Sequence, residues 1–88
     1  MLRITEVADD LGILLKIEGK LREPWVGELD RTARRPLAEG RGLIRLDLSS
    51  VTFADEAGVR LLHELLGKGA QIAAASGYVR VLLCLEDR

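Results

Sequence analysis

Ile44-Arg45-Leu46-Asp47-Leu48-Ser49-Ser50-Val51-Thr52-Phe53-Ala54-Asp55-Glu56-Ala57-Gly58-Val59-Arg60-Leu61-Leu62-His63-Glu64-Leu65-Leu66 is the stretch whose reading decides the fold. Ile44, Leu46 and Leu48 alternate with polar residues at the two-residue period of a core strand, and Ser49-Ser50 interrupts them. From Asp55 onward the apolar spacing becomes helical. At about 100° per residue from Val59, the side chains of Val59, Leu61, Leu62, Leu65 and Leu66 share one side. Glu56, Arg60, His63 and Glu64 share the other. Asp55 stands where an N-cap carboxylate accepts the first free backbone N–H groups, and Glu56 adds a charge that the helix dipole favours. The stretch is therefore strand, short loop and amphipathic helix, and the functional residues are placed at the join, Asp55-Glu56-Ala57-Gly58.

Upstream, Leu2, Ile4 and Val7 predict a first strand, Asp9-Asp10-Leu11-Gly12 a turn, and Ile13 to Gly19 a second strand with Leu15 and Ile17 on one face. This is an antiparallel hairpin. Pro24 fits the first turn of a helix, where its missing N–H costs nothing, with Trp25 beside it. Val26, Leu29, Ala33 and Leu37 then lie on one helical face, and Pro36 predicts an end to the regular helix near Arg35. Downstream, Gly67-Lys68-Gly69 stops the second helix, Ala70 to Ala75 reads as a short strand, and Ser76 caps a last helix from Gly77 to Leu85. The order is ββαβαβα. Crossovers of this length favour right-handed parallel connections, so residues 1–88 read as one α/β domain.

With 88 residues, 13 basic and 14 acidic, the chain carries a net charge of −1 and no basic cluster dense enough for a polyanion, which argues against nucleic acid. Arg31, Arg34, Arg35 and Arg41 read as solvated positions around a helix end. One cysteine, Cys84, cannot form an internal disulfide and fits a reducing cytoplasm, where it serves as a small buried apolar residue. No Cys/His set has metal-ligand spacing and no segment approaches the ~20 apolar residues of a membrane span. No metal, cofactor or direct membrane insertion is expected. So small a core makes a partner or a homodimer a reasonable expectation.

Enzymatic readings find no support. The chain lacks a phosphate-binding Gly-x-x-x-x-Gly-Lys-Ser/Thr loop, and His63 is a lone histidine on a polar helix face with no nucleophile near it in sequence. Gly58 is less simply explained, because glycine costs about 1 kcal/mol against alanine inside a helix. Tight packing or close approach of a partner would each justify it. Trp25 is either a core or rim residue or a partner anchor, and Arg22 shares its surface.

Residues Leu43 to Leu62 resemble the signature of STAS domains, the module shared by sulphate transporters and anti-sigma-factor antagonists. The likeness extends to the opening hairpin, to Gly19-Lys20-Leu21, and to Ala75-Ser76-Gly77-Tyr78-Val79-Arg80. It implies a small mixed sheet, an antiparallel hairpin plus parallel strands, with helices packed on one side, and a non-enzymatic function of binding other proteins. In antagonist members the helix opens with Asp-Ser-Ser/Thr-Gly, and the first serine is phosphorylated by a kinase that doubles as the anti-sigma factor. Asp55 and Gly58 match that pattern, but Glu56 occupies the phosphoacceptor position and Ala57 follows it. Neither carries a hydroxyl, so the resemblance implies a partner-switching module without its serine switch.

Glu56 carries one charge where phosphoserine carries about −1.5 to −2. It either imitates the modified state weakly or belongs to a surface matched to a different partner; the second is preferred, because a protein held in a non-binding state has no evident use. The resemblance places the partner surface on Asp55, Glu56, Ala57 and Gly58, continuing through Arg60, His63 and Glu64, with Arg22 and Trp25 nearby. It implies as partner an anti-sigma-factor/serine kinase-like protein in a bacterial signalling pathway that regulates transcription, or, for a permanent subunit, a transporter ATPase. Many members continue beyond the point matching Arg88, which predicts an exposed apolar strip near that end.

Overall fold

The structure is a computed structural model that describes residues 1–40 and 42–83. Its elements are β1 (Leu2–Ala8), β2 (Gly12–Leu21), α1 (Val26–Glu39), β3 (Leu43–Ala54), α2 (Glu56–Gly67), β4 (Gln71–Ala75) and α3 (Gly77–Leu82). The four strands form one sheet in the order β1-β2-β3-β4, with β1 antiparallel to β2 and the other pairings parallel. This is the mixed ββαβαβα architecture expected from the apolar periodicities.

The two faces of the sheet follow from the register. Ile13 lies beside Ile44 and Leu15 beside Leu46, while Ile4 opposes Ile17, so one apolar face is continuous across three strands. Leu15, Ile17, Leu46 and Leu48 are buried there with Leu29 and Ala33 of α1 and Leu62 and Leu65 of α2. The other face pairs Arg3 with Glu18, Thr5 with Lys16, and Lys16 with Asp47, and it is polar in the middle, with Val7 beside Leu14 near the hairpin turn and Phe53 beside Lys20 at the far end. No polar or charged residue is buried among the described residues, so the core is held by apolar burial alone.

At the tip of the opening hairpin Asp9 fixes the turn: its Oδ1 accepts the N–H groups of Leu11 (3.0 Å) and Gly12 (3.1 Å). Its Oδ2 meets Arg45 Nη2 at 2.6 Å, tying the turn to β3. Arg45 and the two backbone donors hold the Asp9 carboxyl below its ordinary value, the arginine hydrogen bond being the largest cause. Gly12 is required here. Its φ is 147°, and a Cβ would lie 2.2 Å from the Leu43 carbonyl oxygen.

Three expectations are corrected. The first helix does not end near Arg35 but runs through Pro36 to Glu39 and stops at Gly40, whose φ of 63° is left-handed. Pro36 is buried with Val26, Leu29 and Ala33; its ring packs where the helix meets the core, which offsets the lost backbone hydrogen bond. Pro24 lies before that helix and Trp25 is the N-cap, without a side-chain capping bond. The Glu23–Pro24 peptide is cis. Finally, Ser49 and Ser50 do not end the strand: β3 continues to Ala54, with a register shift against β2 that takes up the irregularity and returns Val51 to the interior. Near the end of the described chain, Val81 is 68% exposed while Val79 and Leu83 are buried. Cys84 and Arg41 lie outside the described residues.

Leu46 is central to the sheet and fully buried. Leu46→Ala should cost about 2–5 kcal/mol through lost burial and the cavity left behind. In urea denaturation at pH 7 the midpoint should fall without a change of slope.

Candidate functional site

Parallel strands β2 and β3 end side by side, Leu21 beside Ala54, while β4 stops at Ala75 beside Leu48, and the join between β3 and α2 stands at this edge. Asp55 organises this edge. Its Oδ1 accepts the Gly58 N–H at 2.8 Å, the N-cap bond expected from the residue type. Its Oδ2 accepts the Glu23 N–H at 3.0 Å from the loop after β2, and its own N–H donates to the Leu21 carbonyl at 3.1 Å. One aspartate thus fastens the end of β2 to the start of α2. The Glu23 and Gly58 N–H donors, with Arg22 adding a smaller attraction, hold its carboxyl below the usual 3.8 against the opposing effect of desolvation.

Gly58 is buried, and its neighbour is the chain itself. A Cβ on Gly58 would lie 2.5 Å from the Leu21 carbonyl oxygen and 3.0 Å from Leu21 Cγ. Of the two reasons that could justify a glycine here, the geometry supplies tight packing of α2 on the end of β2.

The adjacent positions face outward. The Glu56 side chain is 91% exposed and that of Arg60 is 67% exposed, and the two approach to 3.6 Å as an i,i+4 pair. Solvent screens such a contact strongly. His63 and Glu64 are also exposed, and Ala57 is half-buried against the core. Glu64 Oε1 accepts a hydrogen bond from Arg34 Nη2 at 3.0 Å, and Arg34 Nε also pairs with Asp30, so this side of α2 is bound to α1. Between the helices lies a shallow groove of about 270 Å³ with Val26 and Ala57 among its lining and Glu23, Arg60 and Glu64 around it. Arg22 is exposed and Trp25 is 37% exposed on the loop that Asp55 holds. The structure therefore brings Arg22, Trp25, Asp55, Glu56 and Gly58 to one edge, while His63 and Glu64 lie further along α2.

Two residues at this edge are not evident from sequence periodicity. Phe53, two residues before Asp55, is 40% exposed and stacks on Tyr78, with ring centroids 6.5 Å apart. The Ala54 N–H donates to the Tyr78 hydroxyl at 3.1 Å, and that hydroxyl donates to the Ala54 carbonyl at 3.4 Å. The signal that could have found them is positional: each aromatic stands next to the end of a parallel strand.

Among the described residues no group of three or more His, Cys, Asp or Glu could hold a metal ion, and no described helix is long and apolar enough to cross a membrane. The site offers fixed backbone, exposed charge and aromatic surface.

The fold is that of the anti-sigma-factor antagonists. The chain superposes on SpoIIAA, the Bacillus cell fate determinant, in its phosphorylated form with a TM-score of 0.75 and 15% identity, over 97% of this chain and 82% of that one. The anti-sigma factor antagonist SpoIIAA in its unphosphorylated form gives 0.74 at 15% identity, over 98% and 84%. No family model matches the chain, and no curated protein matches it in sequence.

Two measurements test this geometry. Gly58→Ala should destabilise the fold by about 1–3 kcal/mol, because the new methyl meets a backbone oxygen that has little room to move; differential scanning calorimetry would show a lowered Tm. Asp55→Ala should lower Tm at pH 7. Because the folded-state carboxyl is held below its unfolded value, the wild-type advantage is present above the unfolded value and is lost as pH falls through the folded one. The Tm difference between wild type and variant should therefore shrink as the pH falls below about 4.

Proposed function

We propose that this chain is a non-enzymatic protein-binding module of the anti-sigma-factor-antagonist type, acting in the cytoplasm in a partner-switching pathway that lacks the serine switch. The observation that carries the reading is Glu56: a carboxylate 91% exposed on the first turn of α2, next to the N-cap Asp55. The fold likeness supports it, since the matched antagonist is known in phosphorylated and unphosphorylated forms. At the resembling position this chain has an acid that cannot form a stable serine-type phosphoester, followed by Ala57.

A single permanent charge suits a surface complementary to a basic partner better than a reversible trigger. The partner class is an anti-sigma-factor/serine kinase-like protein, and Asp55, Ala57, Gly58, Arg60, His63, Glu64, Arg22 and Trp25 frame the surface around Glu56. Gly58 contributes by letting α2 seat closely on Leu21, which fixes the backbone that carries Glu56. The missing hydroxyl at both 56 and 57 also suits a permanent subunit of a transporter or other assembly. Copurification separates the two, with a kinase-like protein recovered in the first case and a transporter ATPase in the second.

Glu56→Lys should weaken the partner at least about tenfold in isothermal titration calorimetry, and an unchanged affinity would remove the surface from consideration. Incubated with a cognate kinase and labelled ATP, the wild-type chain should take no phosphate at residue 56, whereas Glu56→Ser should be labelled there.

A further inference from the structure

β1 is an edge strand: β2 pairs with one side of it, and no described strand pairs with the other. Its alternation puts Leu2, Ile4 and Glu6 on the face that the helices cover, where Leu2 is buried, Ile4 half-buried and Glu6 exposed. The cover is incomplete. While α1 turns Leu29 and Ala33 into the core, Glu28, Arg31, Thr32 and Arg35 follow the i, i+3, i+4, i+7 spacing of a second stripe, and between that stripe and β1 lie two cavities of about 340 and 170 Å³. Glu6 and Thr32 line both, so the two cavities form one trough beside the open strand.

The trough is charged in opposite senses at its two ends. Arg31 and Arg35 line the larger cavity with Pro36, Glu28 lines the smaller with Leu2 and Ile4, and Glu6 stands between them. Like charges four residues apart on a helix repel, and Arg34, Arg45 and Arg60 each reach an acid. Arg31 and Arg35 do not. Among the described residues no acid lies within ion-pair distance of either, Glu6 included, and Glu6 and Glu28 likewise have no cation. Other charges near this edge are engaged or directed elsewhere: Arg3 is on the opposite face of β1 across from Glu18, Asp9 is taken by Arg45, and Asp10 lines neither cavity.

We infer that this trough takes an extended peptide segment of another protein, added to β1 as an edge strand, with an acidic side chain on Arg31 and Arg35 and, two or four residues away, a lysine or arginine on Glu28 and Glu6. In such additions the open main-chain groups give affinity and alternate side chains give specificity. Two-residue steps of a strand are about 7 Å long, the same repeat by which Leu2, Ile4 and Glu6 form the trough wall. The stem of the peptide's basic residue lies on Leu2 and Ile4 while its charge reaches the two carboxylates. Charge complementarity selects this occupant. A uniformly acidic segment meets Glu6 and Glu28, and a uniformly basic one meets Arg31 and Arg35. The trough is separate from the surface around Asp55, since the groove between α1 and α2 uses Val26, Gly27 and Asp30 and shares no residue with it.

The probe is a display library of random linear peptides selected on the immobilised full chain. The expected result is an enriched pattern in which Lys or Arg and Asp or Glu stand two or four positions apart. Calorimetry with a synthetic peptide carrying the pattern should show affinity at least about tenfold lower for the double variant Arg31→Glu, Arg35→Glu, with Tm retained, and unchanged for Lys68→Ala. Replacing the peptide's acid by lysine should weaken binding to the wild-type chain at least about tenfold and restore binding to the double variant. N-methylation of alternate peptide amides should abolish binding for the set that faces β1 and spare it for the other set. No enriched pattern, undiminished affinity in the double variant, an unchanged affinity for the lysine peptide, or indifference to both N-methylated sets overturns the site. Dimerisation of the free chain that is lost in the double variant gives the trough to a second copy and overturns the peptide. Each of these failures leaves the reading of the Asp55 surface standing, because that surface is tested through Glu56.

Discussion

The carboxylate of Asp55 is the constraint on which the functional edge depends. It accepts backbone N–H groups from Glu23, 32 residues away, and from Gly58, while its own amide donates to Leu21, so the end of β2 and the start of α2 meet at one residue. Charged acceptors make stronger hydrogen bonds than neutral ones, and the depressed carboxyl shows that the ionised form is the one the fold prefers. Gly58 completes the arrangement by removing the one carbon that would keep α2 away from the Leu21 carbonyl. With the first turn of α2 fixed on the end of β2, the backbone that carries the exposed Glu56 is held at the sheet edge.

The apolar sheet face and the polar one divide the remaining work. Burial of Leu, Ile and Val across β2, β3, α1 and α2 supplies the stability without any buried charge, so the aromatic residues are not needed for the core. The polar interactions are local and fix loops: Asp9 at the hairpin, Asp47 with the Ser49 N–H and hydroxyl, Ser76 capping α3, and Asp55 at the edge. With stability supplied by the interior, residues in the loops can change without loss of the fold.

Much of this was legible in the residues themselves. Alternation in Ile44-Arg45-Leu46-Asp47-Leu48 and the helical spacing after Asp55 required a strand followed by a helix, and the short connections limited the topologies. The N-cap of α2 and the Gly-rich stops were equally readable, because they are local chemistry. Pro36 was misleading because the gain from burying its ring is tertiary and does not show in propensity. Ser49 and Ser50 misled for a similar reason, since a shift of register keeps the strand paired beyond them. Phe53 and Tyr78 could not be paired by any period, as 24 residues separate the Tyr78 hydroxyl from the Ala54 backbone that it holds. The role of Gly58 was open until the neighbouring Leu21 carbonyl was located.

This geometry also explains which parts of an Asp-x-x-Gly helix start can vary. Asp55 and Gly58 are fixed by contacts inside the chain: exchanging the first leaves two backbone N–H donors without their acceptor, and adding a carbon to the second drives it into Leu21. Glu56 has no such obligation. Its carboxylate makes only the screened contact with Arg60, so a serine, a glutamate or a lysine there would leave the cap, the core and the sheet edge in place. Ala57 is intermediate, half-buried against the core and therefore restricted in size more than in chemistry. The frame that Asp55 and Gly58 set consequently places no structural demand on the charge or length of the side chain at position 56. In this chain that residue is a glutamate, and the residue after it is an alanine.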